Sequence, residues 1–480
     1  PAGSYLLQHL RGIIAALMDI ATPTTADRST DQPTETRTLL KLAGPLVINN
    51  LALAGMQFAD AVMAGRLGAE ALAAVAIGSS VWFLFFMVLL GLMMALSPIV
   101  ARHIGAGNDH LVGQYTRQAI LMSLSLSVPV ILAAHYAVPG FLAWLTIDPS
   151  FRDLTVGYVA AIAWGAPGIF VFLALRFTSE GMGYTKPIML SSLLALVCNV
   201  SLNWVFIYGE LGAPALGAVG CGVASAITMW VVMFALGGYV LRGARYQPYR
   251  LLAGKMRFDA AVVREIIRLG IPIAVTVTAE AGLFNAISLL MGTLGADVAA
   301  AHQVALNFAS TMFMIPLAIS AATTVRVGYW LGRDNPEQAR RSGLIGIVSC
   351  TVIMTISASF LLVGSDWVVK LYTEDPDVTA IAVSLLAMAA IFQIADGLQV
   401  GAAGALRGYK DTRLPMVITA FAYWIVAFPL AFMAAVVWRM DPHFVWSGFV
   451  AGLCLAGVLL GGRFWRLSAS HRRRDIAAQS

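Results

Sequence analysis

Residues 71–100 read ALAAVAIGSSVWFLFFMVLLGLMMALSPIV, a stretch without one charged side chain. A helix needs about 20 such residues to cross a hydrocarbon core of about 30 Å, and this run exceeds that length. The rest of the chain repeats the pattern. Its 480 residues are 59% hydrophobic and 12% charged, against about 25% charged in ordinary soluble domains, and the mean hydropathy is +0.79. These values exclude a soluble multidomain enzyme, low-complexity disorder, a collagen-like rod and a disulfide scaffold. The chain is an all-α polytopic membrane protein.

Working outward from that run, apolar segments broken by Gly, Pro and charge give twelve candidate spans. The first six cover 40–64, 71–100, 114–138, 155–178, 187–209 and 216–241. The second six cover 262–293, 298–330, 341–364, 378–405, 414–437 and 445–466. Spans two, seven and eight exceed a minimal crossing, so they are expected to tilt, bend or protrude. Prolines at 45, 98, 167, 272, 316 and 429 can supply bends.

Positive charge orients the bundle. With the chain ends and alternate loops on one side, that side holds 27 of the 31 Lys and Arg residues, all but Arg66, Arg152, Lys370 and Arg439. Loops rich in Lys and Arg stay cytoplasmic, so both termini are expected in the cytoplasm of a bacterial cell, with the protein in its inner membrane. The net charge of +6 therefore marks topology and anionic lipid, not a nucleic-acid partner. Residues 1–38 form an expected cytoplasmic leader. Its apolar stretch Tyr5–Ile20 is too short to span and lacks a cleavage site, so it is not a signal peptide. Cys198, Cys221, Cys350 and Cys454 lie in apolar segments without paired spacing, so they read as packing residues.

The chain also repeats itself. Leu40-Lys-Leu-Ala-Gly-Pro45 recurs as Ile267-Arg-Leu-Gly-Ile-Pro272, Leu67-Gly-Ala-Glu70 as Leu294-Gly-Ala-Asp297, and Gly105-Ala-Gly-Asn108 as Gly332-Arg-Asp-Asn335. Each pair is separated by 227 positions. Gly183-Tyr-Thr-Lys-Pro187 is echoed by Gly408-Tyr-Lys410 and the later Pro415, at a drifting offset. Each repeat holds six spans, so both halves enter the membrane in the same direction. They are expected to form two six-helix lobes related by a pseudo-two-fold along the membrane normal, the parallel-repeat arrangement of carriers. The lobes then cover 39–241 and 262–466, tethered by a basic cytoplasmic linker, 242–261, with a basic cytoplasmic tail at 467–480.

Three acids stand out within the spans: Asp60, Glu280 and Asp396. A carboxylate at mid-membrane costs about 2.5–3.5 kcal/mol on insertion scales, and no Lys or Arg reads as lying deep enough to neutralise it. Each acid is also unique to one repeat. Glu280 and Asp396 share the second lobe, and such a pair suits a proton or a monovalent cation whose arrival removes negative charge. Asn199 and Asn203 stand four apart on the fifth span, hence on one face, where they can join Asp60. Phe284, Phe392, Met56 and Met291 could form an adaptable wall for aromatic ligands. Gly254-Lys255-Met256 lacks the remainder of a P-loop. No His-Glu-x-x-His or Gly-x-Ser-x-Gly motif occurs, and Gly217, Gly220 and Gly222 read as close helix packing.

Three motifs carry a family resemblance. Met56-Gln-Phe-Ala-Asp-Ala-Val-Met-Ala-Gly65, Ala299-Ala-Ala-His-Gln-Val-Ala-Leu-Asn307 and Leu406-Arg-Gly-Tyr-Lys-Asp411 resemble the multidrug and toxic compound extrusion (MATE) family, in its NorM-like bacterial branch, over about 39–466. That resemblance implies a monomeric, cofactor-free secondary antiporter exporting cationic, aromatic drugs and dyes against Na⁺ or H⁺. Glu280 and Asp396 match positions that bind the coupling cation, as Na⁺ ligands where sodium is used. Asp60, Asn199 and Asn203 match the first-lobe polar cluster, and Phe284 and Phe392 line the cavity. Phe392 stands where some relatives carry a tyrosine, which leaves the coupling ion open. A flippase for a lipid-linked precursor would need a cleft rich in Arg and Lys. An integral-membrane transferase would need clustered catalytic groups at one face. Neither pattern is read in the spans.

Overall fold

The computed structural model describes residues 35–144, 148–253 and 257–479. The leader up to residue 34, and Gly254 to Met256 within the linker, lie outside the described residues. All the regular structure among the described residues is helical.

Among the described residues there are twelve candidate spans, counting the bent helix pair of α4 as one. The first lobe contains α1 (Glu35–Gly65), α2 (Ala69–Gly105), α3 (Asp109–Trp144), α4 (Pro149–Ala163 with Ala166–Gly181), α5 (Lys186–Tyr208) and α6 (Gly217–Arg242). The second contains α7 (Ala260–Gly292), α8 (Ala296–Gly332), α9 (Pro336–Lys370), α10 (Pro376–Gly408), α11 (Arg413–Val437) and α12 (Pro442–His471). The basic tail continues α12 as helix to Gln479. Of the three long spans, α2 is broken, whereas α7 and α8 run as continuous helices of 33 and 37 residues. A turn at Ala95 divides α2 just before Pro98, and α4 bends by 49° before Pro167. Pro129 and Pro429 lie near π-helical turns at Ala133–Ala137, Phe421–Ala427 and Met433–Val437.

The duplication is visible in backbone geometry. Gly68 and Gly295 open α2 and α8 with φ of 120° and 127°. After α2, Gly107 N–H donates to Ile104 O and Asn108 N–H to His103 O. After α8, Asp334 N–H donates to Leu331 O and Asn335 N–H to Trp330 O, the same turn 227 residues on. The echo after the fourth span of each half keeps this offset and does not drift. Gly183 N–H donates to Glu180 O and Lys410 N–H to Arg407 O, and Lys410 takes the positive φ (59°) that Gly183 takes in the first lobe (76°). Gly183 therefore corresponds to Lys410 rather than to Gly408.

The lobes meet at the face where α1 begins and α12 ends, here termed the terminal face. Helix α2 lies against α8 there at backbone distance. A Cβ on Gly105 would stand 2.1 Å from Tyr329 O, and a Cβ on Gly332 would stand 2.1 Å from Arg102 O. These two contacts are images of each other, so the pseudo-two-fold runs between them. Charged latches flank this seam. Glu35 of α1 accepts two hydrogen bonds of 2.7 Å from Arg326 of α8 and one of 2.7 Å from Ser342 of α9. Glu265 of α7 accepts from Lys410 at 2.7 Å and from Tyr115 of α3. Ser342 and Tyr115 are equivalent positions of the two repeats, so each lobe's first helix latches its acid to the other lobe's third.

The linker is not a loose tether. Arg117 of α3 donates to the carbonyls of Arg250 (2.9 Å) and Ala253 (2.7 Å), Gln118 donates to Arg257 O (2.5 Å), and Tyr246 is buried with its hydroxyl 3.1 Å from Ser179 Oγ. The segment is strapped onto the first lobe. Gly220 and Gly222 are close-packing positions, as expected, their Cβ sites falling 2.2 Å from Phe206 O and 2.7 Å from Tyr158 O, whereas Gly217 is not, with only Leu67 Cδ1 at 3.7 Å, and takes a positive φ of 57° at the start of α6.

Candidate functional site

In the first lobe, the three predicted polar residues converge. Asp60 lies toward the far end of α1 from the terminal face, and Asn203 of α5 donates to its Oδ1 at 2.5 Å. Asn203 Nδ2 also stands 3.3 Å from Asn199 Oδ1, one helical turn away. Both asparagines are buried, while Asp60 is half-buried. Two further groups face the same carboxylate: the Cys221 thiol of α6, within hydrogen-bonding reach, and the Tyr158 ring of α4. Sequence reasoning took Cys221 for a packing residue and did not single out Tyr158. Nothing in the local sequence distinguishes this phenol or this thiol from others in apolar spans.

In the second lobe, Glu280 of α7 and Asp396 of α10 lie close enough to feel each other's charge. Asp396 is buried, and its Oδ1 has no hydrogen-bond partner among the described residues. Glu280 keeps some accessible surface although protein surrounds it densely, as a side chain lining an internal cavity does. Tyr423 Oη is likewise buried and unpartnered, as are both polar atoms of Gln393, one turn before Asp396 on α10. Tyr423 is within electrostatic reach of both carboxylates. Buried polar atoms are almost always paired with protein or water, so the unpaired Asp396 Oδ1 and Tyr423 Oη beside the two acids make a site suited to a proton, water or small cation. Tyr423 matters for a second reason. Phe392 offers no hydroxyl from α10, and Tyr423 supplies a phenol to the same acids from α11. Among the described residues, no three His, Cys, Asp or Glu side chains converge as metal ligands. The pocket therefore combines two carboxylates with neutral oxygens.

Phe392 and Phe284 sit beside this pocket in an aromatic cluster. Their ring centroids are 5.9 Å apart, and Phe449 lies 4.8 Å from Phe284 and 5.0 Å from Phe392. Phe392 is buried, so only Phe284 presents surface to the cavity.

Two sequence expectations need correction. A fourth buried acid, Glu180, closes α4 near the terminal face, and arginines do enter the spans. Arg176 and Arg407 both face Glu180, Arg407 also bears on Glu280, and Arg326 binds Glu35. Positioned near span ends, these arginines resemble topology-setting loop charges. Only the fold shows that their side chains turn inward along the seam. Arg407 Nη2 donates to Ser320 Oγ at 2.8 Å, while its Nε and that of Arg176 are buried without partners among the described residues. Glu180 and Arg407 are themselves equivalent positions of the two repeats.

Comparison with known proteins agrees with this architecture. The family model described as MatE matches residues 45–205 and 272–433, two segments whose starts are 227 residues apart. The multidrug resistance protein MdtK of Photorhabdus laumondii subsp. laumondii is 38% identical over 448 residues, covering 92% of this chain and 97% of its own. Among solved structures, the eukaryotic MATE transporter AtDTX14 superposes with a TM-score of 0.80 at 23% identity, over 92% of this chain and 99% of its own. A multidrug resistance MATE family transporter of the MOP superfamily, described in its outward-facing conformation, superposes with a TM-score of 0.85 at 19% identity, over 94% of this chain and all of its own. With the family model matching both lobes and a relative 38% identical over nearly the whole length, this chain belongs to the MATE family of transporters.

Proposed function

We propose that the protein is a secondary active multidrug exporter. It antiports cationic, aromatic drugs and dyes against Na⁺ or H⁺ by alternating access, and it is a transporter rather than an enzyme. The observation that carries this reading is one acid cluster in each lobe, with the lobes closed against each other at the terminal face by glycine contacts and charged latches. Asp60 with Asn203 and Asn199 can take a cationic substrate. Glu280 and Asp396 can take the coupling ion, because two bare carboxylates in low dielectric repel strongly and either a proton or a monovalent cation relieves that repulsion. The oxygens of Tyr423 and Gln393 support a cation as well as a proton. Each ligand then shifts the same lobe-opening equilibrium in the opposite sense, which is the thermodynamic content of antiport.

The charge bias supports a cytoplasmic terminal face in a protein of the bacterial inner membrane, and in this reading the protein acts as a monomer. Arg176 and Arg407 bear on the alternative of a lipid-precursor flippase. They are outnumbered by the span acids Asp60, Glu180, Glu280 and Asp396, so the balance is acidic and favours cationic cargo. The test is drug efflux in everted vesicles, with Na⁺ and pH gradients imposed separately. Efflux driven by one gradient identifies the ion, and efflux driven by neither refutes the reading.

A further inference from the structure

His302 stands in the motif Ala299–Asn307 and has no part in the mechanism above. It is 2% exposed, near the start of α8, on the side of the second lobe away from the terminal face. Trp446 Nε1 of α12 donates to its Nδ1 at 3.1 Å. Its Nε2 lies 3.0 Å from Ser288 Oγ of α7, and that hydroxyl donates to Phe284 O at 3.0 Å. The direction of this relay is fixed by chemistry. An indole N–H can only donate, so Nδ1 accepts and carries no proton. The single hydroxyl proton of Ser288 goes to Phe284 O, so Nε2 must carry the hydrogen and donate to Ser288 Oγ. All four groups are then satisfied with His302 neutral and in one tautomer. Its partners include no Asp, Glu, Lys or Arg. A second proton on Nδ1 would set two N–H groups against each other and break the link to Trp446.

The relay joins three helix ends that pack sparsely. Direct contact between α7 and α8 is slight, and α8 and α12 hardly touch. It also ends on the aromatic cluster. Trp446 stacks edge-on with His302 (centroids 5.6 Å) and touches Phe392 and Phe449, while the relay's last acceptor is the backbone of Phe284. One turn further in from Phe284 is Glu280, and one turn beyond Phe392 is Asp396. The cluster thus forms a partition between the carboxylate pocket and the face opposite the terminal one. We infer that His302 is a positioning residue, locked as the neutral Nε2–H tautomer, that holds this aromatic partition and so sets the affinity of the carboxylate pocket for the coupling ion without itself carrying a proton. The inference rests on the assignment of coupling to Glu280 and Asp396.

Two measurements on the full-length protein in lipid test it. In ¹⁵N-histidine NMR, the signals of His302 are identified by their loss in His302→Gln. They should show an unprotonated Nδ1 and a protonated Nε2 at about pH 6.5, where a free imidazole is half protonated. A titrating His302, or a proton on Nδ1, overturns the inference. In everted vesicles, His302→Gln and Trp446→Phe should each raise the half-saturating concentration of the coupling ion roughly tenfold, the scale of one lost hydrogen bond. Drug affinity should change less than about twofold, and the double variant should be no worse than either single one. Ser288→Ala, which leaves the helix intact, should move the ion dependence in the same direction and stands in if His302→Gln fails to fold. Variants that lower protein yield but leave the ion dependence unchanged would show a merely structural histidine and overturn the inference. If Asp396→Asn retained ion-driven efflux while His302 kept its locked tautomer, the coupling assignment would be at fault and not the tautomer lock.

Discussion

Replacing Glu35 with Gln should loosen the terminal face. The side chains of Glu35 and Arg326 are 9% and 16% exposed, and they meet in a two-pronged pair at 2.7 Å. Such a pair lies between an exposed ion pair, at about 0–1 kcal/mol, and a buried one whose disruption costs about 3–5 kcal/mol. Glutamine keeps one carbonyl acceptor for Arg326 or Ser342 and loses the second oxygen and the charge. A cost of about 2 kcal/mol is therefore reasonable, since hydrogen bonds to charged groups contribute about 1.5–3 kcal/mol. At about 1.4 kcal/mol per factor of ten, the latched conformation should lose roughly 30-fold in population relative to the state with this face open. Pulsed electron–electron distances between spin labels on α1 and α8 at the terminal face would read the shift as growth of a longer-distance component. Arg326→Gln should give a similar shift, and the double variant should add little to either. The charge swap Glu35→Arg with Arg326→Glu should restore part of the short distance. Unchanged distances in Glu35→Gln, or fully additive single variants, would refute the latch.

Gly105→Ala and Gly332→Ala each insert a Cβ about 2.1 Å from a backbone oxygen of the opposite lobe. Overpacking costs about 1–3 kcal/mol, so both should shift the same distances toward an open terminal face, and wild-type distances in both would remove the seam from the mechanism. Asp396→Asn and Glu280→Gln should each abolish gradient-driven efflux at near-normal expression, and retention of wild-type rates in both would leave Asp60 as the coupling acid. Asp60→Asn preserves a partner for Asn203 but removes the charge. It should lower the affinity for a cationic dye about tenfold, the effect of losing one charge-assisted contact, while the ion dependence stays within about twofold, and fluorescence-polarisation binding checks it. Tyr423→Phe should weaken any Na⁺ stimulation of efflux several-fold and leave proton-driven efflux intact, whereas equal loss with both ions would mean that the phenol is structural.

The spans and the duplication were legible because each leaves a signal many residues long. A charge-free run such as 71–100 has few alternatives to a membrane helix. The repeats surface where turns demand particular residues: Gly68 and Gly295 at positive φ, and Asn108 and Asn335 beginning the next helix. Where matching relied on residue identity, it slipped. Gly408-Tyr409 looks like Gly183-Tyr184, yet backbone hydrogen bonds pair Gly183 with Lys410, a lysine holding a glycine's conformation. The carboxylates Asp60, Glu280 and Asp396 were legible because an ionised group in a span is expensive. Tyr158, Tyr423 and Gln393 were not, because neutral polar side chains carry no comparable cost and become informative only beside an acid. Arg176 and Arg407 were hidden for the opposite reason. Arginines near span ends are ordinary topology signals, and whether the side chain turns toward lipid headgroups or into a seam is a property of helix packing.

The placement of charge relative to the pseudo-two-fold explains why the halves differ where they do. Near the axis, a residue faces its own equivalent, so identical charged side chains would repel and identical large ones would collide. Gly105 and Gly332 meet the second constraint by carrying no side chain. Glu180 and Arg407, equivalent positions within reach of each other's charge, meet the first by carrying opposite charges. Away from the axis no such constraint applies, and the lobes diverge. With the offset constant at 227, Asp60 corresponds to Ile287, Glu280 to Leu53 and Asp396 to Ile169, each acid replaced by an apolar residue in the other lobe. Complementarity between equivalent positions thus appears at the seam, and the unmatched acids lie in the lobe bodies. If drug and ion competed for one pocket within a single lobe, displacement alone would couple them. On the proposed assignment the two pockets lie in separate lobes, and the quantity drug and ion share is the free energy of the seam, through which each would act on the other.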